Sequence, residues 1–281
     1  MPLGVLMLDT RFRRFVGDIG NPESYSEPVL FEVVRGATVD KVVPAKAPPL
    51  IEDFVAAGER LVARGADTIT TGCGFLVLNQ AELAARLPVP VATSALLLIP
   101  SLLKLLPAGK RLGVLTFSAR DLTPAHFVAA GAPPDTPVEG VAQDGVFQKA
   151  IYEQACNDSV AARETEVVAA AQRLIARHPD IGAILFECTN FPPHRPAVEK
   201  AIGLPVYDVF TLIGVLRTLS VPTLWLTAEE DIVYPPFLSD ILAKMMPNAR
   251  VAQIPRAGHS VYFERPGEFN RIVDEFLNAN S

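Results

Sequence analysis

The chain is predicted to be an α/β protein with two pseudo-symmetric, Rossmann-like halves. Each half is a parallel sheet, the site lies between them, and a βαβα appendage follows at the C-terminal end. Three observations predict it. Short apolar runs alternate with helix-length amphipathic segments, the pattern of parallel sheets with helices on both faces. Motifs recur: "GVLMLDT" from Gly4 resembles "GVLTFSA" from Gly113, and "ADTITTGCGF" around Cys73 resembles "IGAILFECTNF" around Cys188. Cys188 lies 115 residues after Cys73, and Pro205 lies 115 after Pro90, a spacing that signals duplication. The 281 residues, 49% hydrophobic and 20% charged, suffice for a substantial core.

The elements follow in order. "LGVLMLD" (3 to 9) is a buried-strand run, and "TITTG" (68 to 72) and "VPVAT" (89 to 93) complete the strands of the first half. "RLGVLTF" (111 to 117), "PVEGVA" (137 to 142), "IGAILFE" (181 to 187) and "LPVYD" (204 to 208) form the second. "PTLWLTA" (222 to 228) and "ARVAQIP" (249 to 255) belong to the appendage. Helices are expected at 49–64, 76–86, 94–106, 123–130, 145–153, 158–177, 194–201 and 209–217, then at 236–246 and 266–279. The apolar stretch "VATSALLLIPSLLKLL" (91 to 106) is broken by Pro100 and Lys104 and is too short to span a bilayer, so it reads as buried helix. The expected domains are 1–110, 111–216 and 217–281, with the helix at 209–217 able to pack back on the first half.

A net charge of −6 without a Lys/Arg cluster argues against a nucleic-acid or membrane partner. Three cysteines do not make a disulfide framework, and "MPLGVLMLDT" has no basic segment with a cleavage site. Both features lead us to expect a reducing cytoplasm. Neither a CxxC spacing nor a nearby His pair suggests a metal. The loop "GDIGNP" lacks GxGxxG, so no dinucleotide cofactor is expected. Homo-oligomerisation stays open.

Cys73 and Cys188 stand at the ends of equivalent strands, where α/β sheets gather ligands. A pseudo-twofold axis would bring them face to face across one cleft. Opposed thiols suit removal of a proton from carbon on one face and its return on the other. Helices starting just after both cysteines, together with neighbouring donors, are expected to lower the thiol pKa values. Thr70, Thr71, Thr189 and Asn190 stand beside the thiols and can hydrogen-bond a carboxylate. Cys156 has no counterpart and reads as an ordinary buried or half-buried thiol in a helical stretch. His194 reads as a surface or helix-cap residue.

Residues 1 to about 216 resemble the aspartate/glutamate (hydantoin) racemase superfamily, which includes maleate isomerases and arylmalonate decarboxylases. The resemblance rests on "GVLMLDT…GDIGNP", "TTGCGF", "GVLTFSA", "ECTNFPP" and "LPVYDVFTL" in that order. It implies a cofactor-independent racemase or isomerase acting at the carbon α to the carboxylate of a small acid, with Cys73 and Cys188 as its two bases. It also implies carboxylate contacts at Asn21, Thr71, Gly74, Thr116, Ser118, Thr189 and Asn190. A single-thiol decarboxylase or maleate-type isomerase is the alternative. Phe75 and Phe191, near the thiols, suggest a substrate less polar than glutamate or pack the wall. Residues 217–281 resemble the end of an α/β-hydrolase, which would map a remnant acid–histidine pair onto Asp231 and His259. No GxSxG nucleophile elbow occurs in the chain. An esterase, or an inactive fusion that binds small carboxylates, is the rival from another class.

Overall fold

The computed structural model describes residues 2–44, 50–220, 222–233, 236, 239 and 249–280. Two compact units result, Met1–Gly214 and Val215–Ser281. In the first, β1 (Leu3–Leu8) is buried along its whole length, as an unbroken apolar run requires of a strand covered on both faces. It stands second in a sheet of order β2-β1-β3-β4, beside β2 (Val29–Val34) and β3 (Thr68–Thr71), with β4 (Val91–Ala92) at the far edge. The other sheet has order β6-β5-β7-β8, built from β5 (Arg111–Thr116), β6 (Val138–Gly140), β7 (Ile181–Phe186) and β8 (Val206–Tyr207). Every pairing is parallel. The two orders are the same topology, so the duplication in the motifs extends to the connectivity. In each sheet the chain order reverses between β1 and β3 or between β5 and β7, the point where open α/β sheets bind ligands.

The helices are α1 (Val39–Val42), α2 (Ile51–Ala63), α3 (Gln80–Arg86), α4 (Ile99–Leu105), α5 (Pro124–Ala129), α6 (Val146–Tyr152), α7 (Val160–Arg177), α8 (Arg195–Ile202) and α9 (Val209–Ser220). Two expected helices begin as 3-10 turns, Gly74–Asn79 before α3 and Ala95–Leu98 before α4. Pro100 lies in the first turn of α4, where its missing N–H costs nothing. β2 has no counterpart among the strands the apolar runs predict. It is an edge strand, half-exposed and interrupted by Glu32, so it lacks the continuous apolar run that marks its neighbours. Arg60 and Arg64 bind Glu32, which ties α2 across this edge. Leu3, Val5, Met7 and Ile19 pack with Val209 and Ile213 of α9. Burial of each such side chain is worth ~1.5–3 kcal/mol.

In the second unit β9 (Thr223–Ala228) and β10 (Ala249–Ile254) form a parallel pair. α10 (Val261–Glu264) and α11 (Pro266–Ala279) follow. Ala228, Ile254, Ala257, Val261 and Ile272 make a small core of their own. The helix expected at 236–246 falls largely outside the described residues. No described helix is long and apolar enough to cross a membrane.

Candidate active site

The site forms where both sheets end. β3 stops at Thr71 and Gly72 leads to Cys73; β7 stops at Phe186 and Glu187 leads to Cys188. Both thiols line one cleft, with about 390 Å³ of space between its atoms, part of it open to solvent. Gly72, Gly74 and Phe75 flank Cys73, while Glu187, Thr189 and Asn190 flank Cys188. Leu8, Val39, Val43, Phe117 and Ile151 make the wall largely apolar, and Phe12, Thr10 and Arg14 complete it. The cysteines are 8% and 7% exposed, so they are reachable only from the cleft.

Arg14 enters through the loop after β1. Its guanidinium pairs with Asp18 at 2.8 Å and lies over the Phe12 ring at 4.4 Å. Asp18 also accepts from Asn190 Nδ2 at 2.7 Å, and Ile19 N–H donates to the Thr189 carbonyl at 3.3 Å. The loop of the first half is therefore fastened to the cysteine turn of the second. On its outer side, Arg163 of α7 is 1% exposed, pairs with Asp158, and lies over the rings of Phe12, Phe15 and Phe147.

The expected hydroxyl donors are mostly committed within the protein. Thr70 donates to the Ala92 carbonyl, and Thr71 lies 2.6 Å from the Thr93 carbonyl and 2.9 Å from that of Cys73. Thr189 donates to the Gly72 carbonyl at 2.8 Å, Thr116 to Glu187 Oε2 at 2.7 Å, and Ser118 to Asp121 at 2.6 Å. Asn21 accepts from Glu23 N–H, donates to the Arg14 carbonyl, and caps the short turn Pro22–Ser24. Of the seven expected carboxylate contacts, Gly74, Thr189 and Asn190 line the cleft, while Asn21, Thr71, Thr116 and Ser118 do not.

Three further expectations are corrected. The turns after the cysteines are short 3-10 segments, Gly74–Asn79 and Pro192–His194, and burial outweighs them. Burial, with the Glu187 charge adding to it, pushes the Cys73 thiol up to about 12. Cys188 rises for the same two reasons. Cys156 is exposed and lies in the loop between α6 and α7, its Sγ against the Arg11 carbonyl. His194 does stand at the N-cap position of α8, but it is 1% exposed behind Phe147 rather than on the surface, and burial depresses its pKa to about 4. Phe191 packs between Phe147 and Phe186 in the core, so of the two phenylalanines only Phe75 faces the cleft.

Two residues that the sequence did not single out, Arg14 and Glu187, are the charged groups on the cleft wall. Glu187 is fully buried, and burial raises its carboxyl to about 7. All three cysteines are free. Among the described residues, no group of three or more His, Cys, Asp or Glu side chains is placed to hold a metal ion. In the second unit His259 Nδ1 lies 3.0 Å from Asp231 Oδ2.

No protein-family model matches the chain. It is 32% identical over 227 residues to a dimethylsulfoniopropionate lyase of Durusdinium sp. clade D, covering 73% of this chain and 70% of that protein. It is 30% identical over 230 residues to dimethylsulfoniopropionate lyase 7 of Emiliania huxleyi, covering 74% of this chain and 64% of that protein, just under two thirds of its length. The chain belongs to the dimethylsulfoniopropionate lyase family. A 61-residue stretch is 40% identical to the putative non-heme bromoperoxidase BpoC of Mycobacterium tuberculosis, covering 22% of this chain and 23% of that one. The structure of a Gly74Cys mutant of arylmalonate decarboxylase superposes with a TM-score of 0.52 at 18% identity, covering 77% of this chain and 94% of that one, a likeness of fold. The lyase relatives overturn the expected isomerase. The two-base racemase reading, with its decarboxylase, maleate-type isomerase, esterase and inactive-fusion alternatives, is corrected by relatives that are named for the cleavage of dimethylsulfoniopropionate.

Proposed function

We propose that the chain is a lyase that eliminates dimethyl sulfide from dimethylsulfoniopropionate or a closely similar β-sulfonium carboxylate. The observation that carries this is a thiol pair with one arginine and one buried glutamate on a narrow, largely apolar cleft, in a chain whose relatives are named for that lyase activity. The substrate is small and zwitterionic. Arg14 offers its guanidinium to the carboxylate, and the π-faces of Phe75 and Phe117 suit a soft cation that has shed its water.

The reaction needs one base. A thiolate takes the proton α to the carboxylate, its electron pair becomes the Cα–Cβ double bond, and the Cβ–S bond breaks to release neutral dimethyl sulfide and acrylate. The surroundings favour Cys73 for this task. Its sulfur faces the backbone N–H groups of Phe75 and Leu76 and feels the charge of Arg14, all of which favour the thiolate. Glu187 opposes both thiols, but Cys188 has only the Asn190 N–H on the favourable side, is opposed further by Cys73 and Asp18, and donates its proton to Asn190 Oδ1 at 3.8 Å. The sulfonium cation, once in the cleft, offsets the burial that holds Cys73 protonated.

Dimethyl sulfide released from dimethylsulfoniopropionate by the purified full chain, read by gas chromatography, tests the assignment. Removal of a general base costs ~10²–10⁴-fold in turnover, and Cys73→Ala is expected in that range. Cys188→Ala is expected to lose about tenfold or less, because it supplies packing and one weak hydrogen bond. No dimethyl sulfide above the enzyme-free background would sink the lyase reading. A larger loss in Cys188→Ala would reverse the roles of the thiols. We read residues 217–281 as a hydrolase-like appendage outside this chemistry, a reading supported by the parallel strand pair and the Asp231–His259 contact.

A further inference from the structure

Glu187 has three properties that ordinary packing does not explain. It is a fully buried carboxyl on the wall of the thiol cleft. The Thr116 hydroxyl donates to its Oε2 and the Phe117 backbone N–H also favours the charged carboxyl, while its Oε1 is buried with no hydrogen-bond partner. That oxygen occupies the space a side chain at position 74 would take, since a Cβ on Gly74 would lie 2.3 Å from it. A buried carboxylate oxygen without a donor costs a few kcal/mol if charged, and far less if it carries the proton. The same carboxyl is the charge that acts most strongly on both sulfurs, raising each thiol after burial itself.

We propose that Glu187 is a positioning residue that governs ionisation of the thiol pair. The site holds one negative charge, which rests on Glu187 in the free enzyme, and a thiolate forms when Glu187 is neutral. The two arrangements are protonation isomers of equal charge. In one, the S–H bond of the thiol is intact and the carboxylate is bare. In the other, the proton is on the carboxyl and the sulfur is bare. The other charged or titratable groups facing these atoms are Arg14 and Asp18, from the loop after β1, and Tyr152 of α6, which couples to Cys73. Such a set titrates as a unit. The consequence for turnover rests on the proposed lyase reading; the thiol titration does not.

The test is a titration of the substrate-free chain in a Cys156→Ser background, which removes the exposed thiol. Thiolate absorbance and the rate of iodoacetamide alkylation are followed against pH. Glu187→Gln keeps the shape and removes the charge. The expected midpoint for thiolate formation falls by about one pH unit, with about tenfold more thiolate at a given pH below the midpoint. A purely structural role would leave that midpoint unmoved. A midpoint that is unchanged or higher in a variant with the parental circular dichroism overturns the proposal. Should Glu187→Gln fail to fold, Glu187→Met also removes the charge while filling most of the same space, and the thiol midpoint again falls; an unmoved midpoint there overturns the proposal equally. If no lyase activity is found at all, the titration still decides the role of Glu187.

Discussion

Gly74→Ala is the sharpest perturbation the site offers. Built on the backbone, the new Cβ would stand 2.3 Å from Glu187 Oε1, 2.9 Å from its Cδ and 2.4 Å from its carbonyl oxygen. Ordinary contact needs about 1 Å more in each case. The carboxyl cannot simply swing away, since Thr116 holds Oε2 at 2.7 Å. Nor can the carbonyl, because the Glu187 N–H is tied to the Leu115 carbonyl at 2.8 Å at the end of the central strand pair. Backbone therefore has to move, and overpacking of this kind costs ~1–3 kcal/mol. For a unit of this size each kcal/mol is worth about 2–4 °C, so the melting transition should fall by about 2–12 °C. Thermal unfolding followed by far-ultraviolet circular dichroism measures it. Gly267→Ala is the control, since a Cβ there meets nothing within 4 Å. A Gly74→Ala variant that melts with the parent protein would refute the close approach of Glu187 to residue 74, and with it the shared location of carboxyl and thiols.

Arg14→Gln should raise KM for the carboxylate substrate by about tenfold or more while leaving the fold intact, because a charge-assisted bond to a carboxylate is worth ~1.5–3 kcal/mol. Steady-state kinetics with the full chain check this; an unchanged KM would mean that the carboxylate binds elsewhere. His194 predicts a pH effect on stability. Its folded pKa, about 4, lies below the unfolded value, so the unfolded state binds the extra proton first. Its contribution is complete above the unfolded value of ~6.5 and is lost as pH falls toward 4, on the order of a few kcal/mol. Urea unfolding at about pH 7.5 and pH 4.5 should show a smaller drop in His194→Gln than in the parent, and an equal drop would contradict the assignment.

Much of the frame was legible in the chain. The apolar runs at 3–9, 111–117 and 181–187 became buried central strands because a period set by local sterics survives any context. The duplication placed Cys73 and Cys188 at equivalent strand ends, and a parallel sheet leaves such residues at its ligand-binding edge. What followed from composition alone was coarse: an acidic chain without a basic cluster.

The rest was decided by tertiary structure. Glu187 stands inside "FECTNF", in plain view, but its meaning depends on Thr116 and Gly74, 71 and 113 residues away in the chain. Arg14 reaches the cleft because Asp18 bridges to Asn190 across the two halves, a contact that no local pattern encodes. The hydroxyls of Thr71, Thr116 and Ser118 promised substrate contacts and instead bind the protein, since burial obliges polar atoms to find the nearest partner. The thiols are raised rather than lowered because desolvation grows with the mass of protein packed around them, whereas the turns beside them are short. Helical and strand periods act over a few residues, while burial and electrostatics sum over neighbours drawn from the whole fold. The sequence could therefore place the sulfur atoms, and only the assembled cleft sets their charge.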